Sequence, residues 1–176
     1  MNVFWRRGFE ATSIQDLVDR MGINRGSLYG TFGDKKSLFL EAVRYYQERA
    51  IVTLAGLLRE GGSPLANIRR ALEQAAGLGK AGTCQGCLLT NCAIERAQED
   101  REVAAIVQAG FARMQALLEE ALCRARDSRE VGAKGVPAVQ ARFLVGVMQG
   151  VVVLAKANVD AGVRKDAVRV ALSALE

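Results

Sequence analysis

The segment Arg25-Gly26-Ser27-Leu28-Tyr29-Gly30-Thr31 carries a guanidinium, two hydroxyls and a phenol, thinned by two glycines. Arg25 can offer paired N–H donors to a guanine edge or to a phosphate. Ser27 and Thr31 can hydrogen-bond a base or a phosphate, and the Thr31 methyl suits thymine. Tyr29 can place its hydroxyl on a phosphate, and Lys35, just beyond, adds positive charge. Gly26 and Gly30 remove side chains that would hold a helix away from a groove. Together these residues form a surface suited to a polyanion.

A second group with chemical potential is Cys84-Gln-Gly-Cys87, followed by Cys92. Cys87 is expected in the first turn of a helix, where the positive end of the dipole favours thiolate, with Lys80 near in sequence. Cys84 can then resolve an oxidised Cys87 as a disulfide. Cys92, one turn beyond Leu88, is expected to face the core, and Cys123 reads as a small apolar residue. Zinc would need a ligand beyond Cys84, Cys87 and Cys92, so neither metal nor cofactor is expected. Histidine is absent from all 176 residues. That excludes Ser-His-Asp and Cys-His catalysis and histidine-ligated metals. The enzymatic alternative is a helical CxxC thiol peroxidase, which lacks an obvious proton donor here.

The elements that must position these groups read as helices throughout. Half of the residues are hydrophobic, 24% are charged, and only two are proline. Ala, Leu, Arg, Glu and Gln are abundant, which favours helix. The net charge of +5 suits a nucleic-acid partner without requiring one. Met1 to Gly8 has no apolar core of a secretory signal. The longest apolar run, Phe143 to Ala155, falls short of the ~20 residues of a membrane span. A cytoplasmic protein with reduced thiols and no membrane partner is expected.

In order, a first helix ends at Gly8. A second is capped by Thr12 or Ser13, carries Ile14, Leu17, Val18 and Met21 on one face, and stops at Gly22. A short third is capped by Asn24, and a long fourth is opened by Asp34. "EGGSP" breaks the chain before a helix capped by Ser63 that runs to about Leu78. Further helices are expected from the Cys87 region, from Asp100 to about Arg126, from Pro137 to about Ala161, and from Arg164 onward. The tight Gly22-Ile23 turn makes the second and third a helix-turn-helix, whose second helix enters the major groove. The chain then divides into a DNA-binding domain, 1–46, and an effector and dimerisation domain, 47–176. In the larger domain Phe143 to Ala155 is apolar nearly all round and must be buried on more than one side. Gly146 and Gly150 allow another helix close. Phe111, Met114, Phe143 and Met148 are candidates to line an effector pocket.

The stretch "GFEATSIQDLVDRMGINRGSLYGTFGDKKSLFLEA" resembles the signature of TetR-family transcriptional regulators. The resemblance is carried by Gly8-Phe9, Thr12-Ser13, Gly22, Leu28-Tyr29, Phe32, Lys35 and Leu38. It implies DNA-contacting roles for Thr12, Arg25, Ser27, Tyr29, Thr31 and Lys35, and core roles for Ile14, Leu17, Ile23, Leu28 and Phe32. It also implies an all-α homodimer whose last two helices form a four-helix bundle with the partner. Double-stranded operator DNA would be the target, and a small molecule, electrophile or oxidant would release the repressor. The "GCL" at Gly86-Cys87-Leu88 resembles the NemR-like subgroup, some of whose members sense through cysteine, which would make Cys87 the sensor. Family members carry a longer first helix than Met1 to Arg7 provides. A second alternative is therefore a ligand-binding dimer that no longer binds DNA.

Overall fold

The computed structural model describes residues 1–77, 86–133 and 135–175. Every regular element among them is a helix: α1 (Asn2–Arg7), α2 (Ile14–Met21), α3 (Arg25–Phe32), α4 (Lys35–Leu58), α5 (Pro64–Ala75), α6 (Leu88–Glu95), α7 (Arg101–Asp127), α8 (Pro137–Lys156) and α9 (Ala161–Ser173). The described residues form two compact units. One comprises Met1–Arg49 with Leu88–Gln108, and the other Ala50–Cys87 with Ala109–Glu176. The first unit thus recruits α6 and the start of α7, which no local pattern in the first 46 residues foretells.

Local chemistry sets the helix ends in the first unit. Gly8, at φ 77°, ends α1. Ser13 and Asp16 form a reciprocal capping box at the start of α2, and Gly22 closes that helix in the left-handed conformation. The Asn24 side chain accepts from Ser27 N–H at 2.8 Å and opens α3. Asp34 accepts from Ser37 N–H at 2.6 Å and opens α4. Leu17, Val18, Leu28, Phe39 and Val43 are buried. Ile14, Ile23 and Phe32 are only half-buried, and Met21, on the expected apolar face of α2, is exposed. Phe39 holds the α1 end of this core: its ring lies 5.1 Å from that of Phe4 and 4.9 Å from that of Phe9. Though short, α1 is anchored by Phe4, which is 1% exposed.

In the second unit α5, α8 and α9 pack on one another. Ser63 caps α5 and donates to Glu130, which also accepts from Leu65 N–H at 2.9 Å. The helix ends at Ala75, short of Leu78. α8 stops at Lys156 rather than Ala161. Asn158 turns left-handed there at φ 55°, and Asp160 then caps α9 through Gly162 N–H at 2.7 Å. At 20 residues, α8 exceeds the apolar run counted from Phe143 and is long and apolar enough to cross a membrane by length and composition alone. The core helix of a soluble protein meets the same test.

α8 buries Ala141, Leu144, Met148, Val151 and Ala155, a single helical stripe. The expectation that it is covered on several sides does not hold within one chain. Val139, Phe143 and Val153 are 55%, 47% and 45% exposed.

Candidate nucleic-acid interface

The α2–α3 pair is built so that one face of α3 seals the unit and the other is left to solvent. Leu28 is wholly buried, while Arg25, Gly26, Ser27, Tyr29, Gly30 and Thr31 are all exposed. The turn between the helices is tight because Gly22 N–H and Ile23 N–H both donate to Val18 O, at 2.9 and 3.2 Å. Glycine is required at position 22 by its φ of 68°. Gly30 is different in kind. A Cβ there would meet nothing within 4 Å, so intrachain packing does not demand its smallness. A Cβ on Gly26 would come within 3.2 Å of the capping Asn24 Oδ1.

The polar groups around α3 are partly pre-set. Arg25 Nη2 donates to Gln15 Oε1 at 2.9 Å, and Gln15 Nε2 donates to Asp19 Oδ1 at 2.7 Å. Lys35 is half-buried: its ammonium stands 4.3 Å from the Phe9 ring centroid and donates to Glu10 O at 3.4 Å. It is therefore a cation held at the start of α4 rather than a free arm. At the start of α2, hydrogen bonds from Ser13, with Arg7 adding to them, pull the Asp16 carboxyl down to about 2. Arg7 Nη1 lies 2.5 Å from Asp16 Oδ1.

One expected contact residue lies elsewhere. Thr12 is fully buried, and its hydroxyl donates to Gly8 O at 2.6 Å. It closes the turn between α1 and α2 and presents no surface to DNA. Behind that turn is a cluster that sequence reasoning missed. Glu95, at the end of α6, accepts from Phe9 N–H at 2.7 Å. Arg96 stacks over the Phe9 ring at 4.8 Å and pairs with Glu10 at 2.5 Å. Asp100, 7% exposed, pairs with Lys36 at 3.0 Å and caps α7 through Glu102 N–H at 3.1 Å. The Glu95–Phe9, Arg96–Glu10 and Asp100–Lys36 partners are remote in sequence, whereas Gln15 and Asp19 lie one helical turn apart.

Comparison with known proteins agrees with this geometry. The family model described as "Bacterial regulatory proteins, tetR family" matches residues 1–42. The model for the tetracyclin repressor-like C-terminal domain matches residues 64–171. The chain belongs to the TetR family. It is an all-α helix-turn-helix transcriptional regulator that binds DNA. The uncharacterized HTH-type transcriptional regulator YezE of Bacillus subtilis is 32% identical, over 100% of this chain and 92% of its own length. A cysteine mutant of the TetR regulator CifR, complexed with a 26-base-pair operator duplex, superposes with TM-score 0.84 at 26% identity, covering 99% of this chain and 91% of its own. Reduced Escherichia coli NemR shares the fold, with TM-score 0.85 at 20% identity over 97% of this chain and 89% of its own. Relatives of the peroxidase alternative do not figure among these three; all are regulators.

In the C-terminal half of this TetR-family chain the candidate effector residues separate. Met114 and Met148 are buried and Phe111 is half-buried. Gln149 Nε2 stands 3.8 Å from Met114 Sδ, which brings α8 and α7 together at that point. Phe143 is not among them. It lines an open groove of about 460 Å³ between α8 and α9, with Val147, Gly150, Leu154 and Val170. Cys87 is free, 7% exposed, and sits one residue before α6 rather than in its first turn. Cys84 and Lys80, its expected partners, lie outside the described residues. Cys92 is buried and Cys123 half-buried. Among the described residues no group of three or more His, Cys, Asp or Glu is arranged to hold a metal ion.

Proposed function

We propose that the protein is a homodimeric repressor that lays α3 of each protomer in successive major grooves of operator DNA. It releases the DNA when a small molecule binds in the second unit. The observation that carries this reading is the two-sided character of α3: Leu28 is sealed inside while Arg25, Ser27, Tyr29 and Thr31 face outward. Arg25 reads a base edge, Ser27 and Thr31 bond bases or phosphates, and Tyr29 contacts a phosphate. Gly26 and Gly30 let the backbone approach, and Lys35 contributes positive charge at the α4 end. The dimer forms through the open α8–α9 face, and its two-fold axis spaces the recognition helices by about 34–36 Å. An effector acts by preferring the conformation in which that spacing is wrong, and a coupling of about 1–3 kcal/mol suffices for such control. Met114 and Phe111 of α7 and Met148 of α8 supply the adaptable apolar lining.

The deciding experiment measures fluorescence anisotropy of an operator duplex and of scrambled duplex, with native protein and Arg25→Ala. Loss of about 1–3 kcal/mol of discrimination, with the dimer intact, is expected. Undiminished discrimination would show that α3 does not read the bases through Arg25.

A further inference from the structure

We infer that Gln15 is a positioning residue for Arg25 and thereby sets how selectively α3 reads its site; this rests on the proposed entry of α3 into the major groove. Gln15 and Asp19 lie one turn apart on α2, and Arg25 is the first residue of α3. The three side chains form a relay: Asp19 Oδ1 accepts from Gln15 Nε2 at 2.7 Å, and Gln15 Oε1 accepts from Arg25 Nη2 at 2.9 Å.

The polarity of the relay has only one solution. An ionised carboxylate accepts and cannot donate, and a guanidinium donates and cannot accept. The amide between them satisfies both only with its NH₂ toward Asp19 and its oxygen toward Arg25. Asp19 therefore orients Gln15, and Gln15 orients Arg25, without Asp19 touching the guanidinium. Arginine has a long flexible side chain, and ordering it at the moment of binding weakens the contact it makes. A guanidinium already held by one Nη2 hydrogen keeps its remaining N–H donors for a base edge. The relay costs little surface charge near the phosphates, because the group that touches Arg25 is neutral.

The test uses the full chain and an operator selected by the native protein from a random duplex pool. Affinities are measured for that operator, for single base-pair substitutions of it, and for unrelated duplex. Gln15→Leu keeps the bulk and removes both hydrogen bonds. It should lower the ratio of operator to unrelated-DNA affinity by about three- to tenfold, within the discrimination carried by one arginine–base contact. Affinity for unrelated duplex should stay unchanged. In an Arg25→Ala background, Gln15→Leu should change the ratio no further. Gln15→Ser replaces the leucine variant should that protein fail to fold.

Three results would overturn the inference. The ratio could survive Gln15→Leu although Arg25→Ala abolishes it. The two substitutions could act additively, which would make Gln15 a DNA contact in its own right. Finally, Arg25→Ala could leave the ratio intact, in which case the proposed reading of α3 falls as well, and the inference with it.

Discussion

Glu95 accepts hydrogen bonds from the backbone N–H groups of Phe9 and Glu10, at 2.7 and 3.3 Å. The carboxylate closes the turn between α1 and α2 from a position 86 residues away along the chain from Phe9. Gly8, next to that turn, is shaped by the same contact. A Cβ there would stand 2.6 Å from Glu95 Oε2, and the φ of 77° disfavours any side chain.

Glu95→Ala should therefore destabilise the protein by about 1 kcal/mol, the net worth of an exposed hydrogen-bonding carboxylate. Gly8→Ala should cost about 1–3 kcal/mol from its backbone conformation alone, φ 77° with ψ 179°, with an added cost from the displaced carboxylate. That added part is absent when position 95 is alanine, so the double variant should be less destabilised than the sum of the singles. Urea unfolding of the four proteins checks this, and strict additivity would show that the Gly8–Glu95 contact carries no energy.

Acid should loosen the start of α2 only as pH falls below the ordinary carboxylate range. The folded-state pKa of Asp16 is about 2 against an ordinary 3.8, held there by Ser13 hydrogen bonds and then by Arg7. A depressed carboxylate pKa stabilises the folded state above the unfolded value, and that contribution is lost as pH falls from about 4 toward 2. Asp34, lowered by the Ser37 N–H at the start of α4, has the same sign. Asp16→Asn should flatten the acid limb of a stability-against-pH curve relative to the native protein. An acid limb of unchanged slope would place the lost contribution elsewhere.

What could be read from the sequence was local, and what could not was remote. Ser13, Gly22, Asn24 and Ser63 mark helix ends because a cap depends on residues within three positions of it. The fold class and the helix-turn-helix follow from such signals. Thr12 escaped, because its hydroxyl is consumed by Gly8 O, an interaction indistinguishable in sequence from a free threonine before a cap. Arg25 was legible as a donor, whereas the Gln15 that holds it sits on another helix. Phe143 has the residue type of a pocket lining, yet only the packing of α9 against α8 decides that it faces outward. Cys87 shows the weakness of placing a helix start by composition: one residue of displacement takes it out of the first turn.

The open face of α8 and α9 should be the dimer contact. Phe143 and Val170 are 47% and 58% exposed, and a Cβ on either Gly146 or Gly150 would meet nothing within 4 Å, which leaves room for a partner helix. A buried aromatic of this kind carries about 2 kcal/mol or more at an interface, roughly 30-fold in dissociation constant. Phe143→Glu also desolvates a charge at the proposed dimer contact, so sedimentation velocity should show the native protein as a dimer and the variant as a monomer, with helicity retained. Operator affinity should fall with it, because two recognition helices no longer act together. A variant that remains dimeric would move the interface off this face.

The thiols should react in an order set by their burial. Cys87 and Cys92 are 7% and 2% exposed, whereas Cys123 is half-buried. A reagent must reach sulfur before thiolate character matters, so a buried thiol waits for local opening. Under native conditions, limited iodoacetamide followed by peptide mass mapping should find Cys123 alkylated ahead of Cys87 and Cys92. Denaturant should erase the difference. Alkylation of Cys87 first would mark it as the activated thiol that the Gly86-Cys87-Leu88 resemblance implies. DNA release by an electrophile should then disappear in Cys87→Ser, and with the expected order it should survive that substitution.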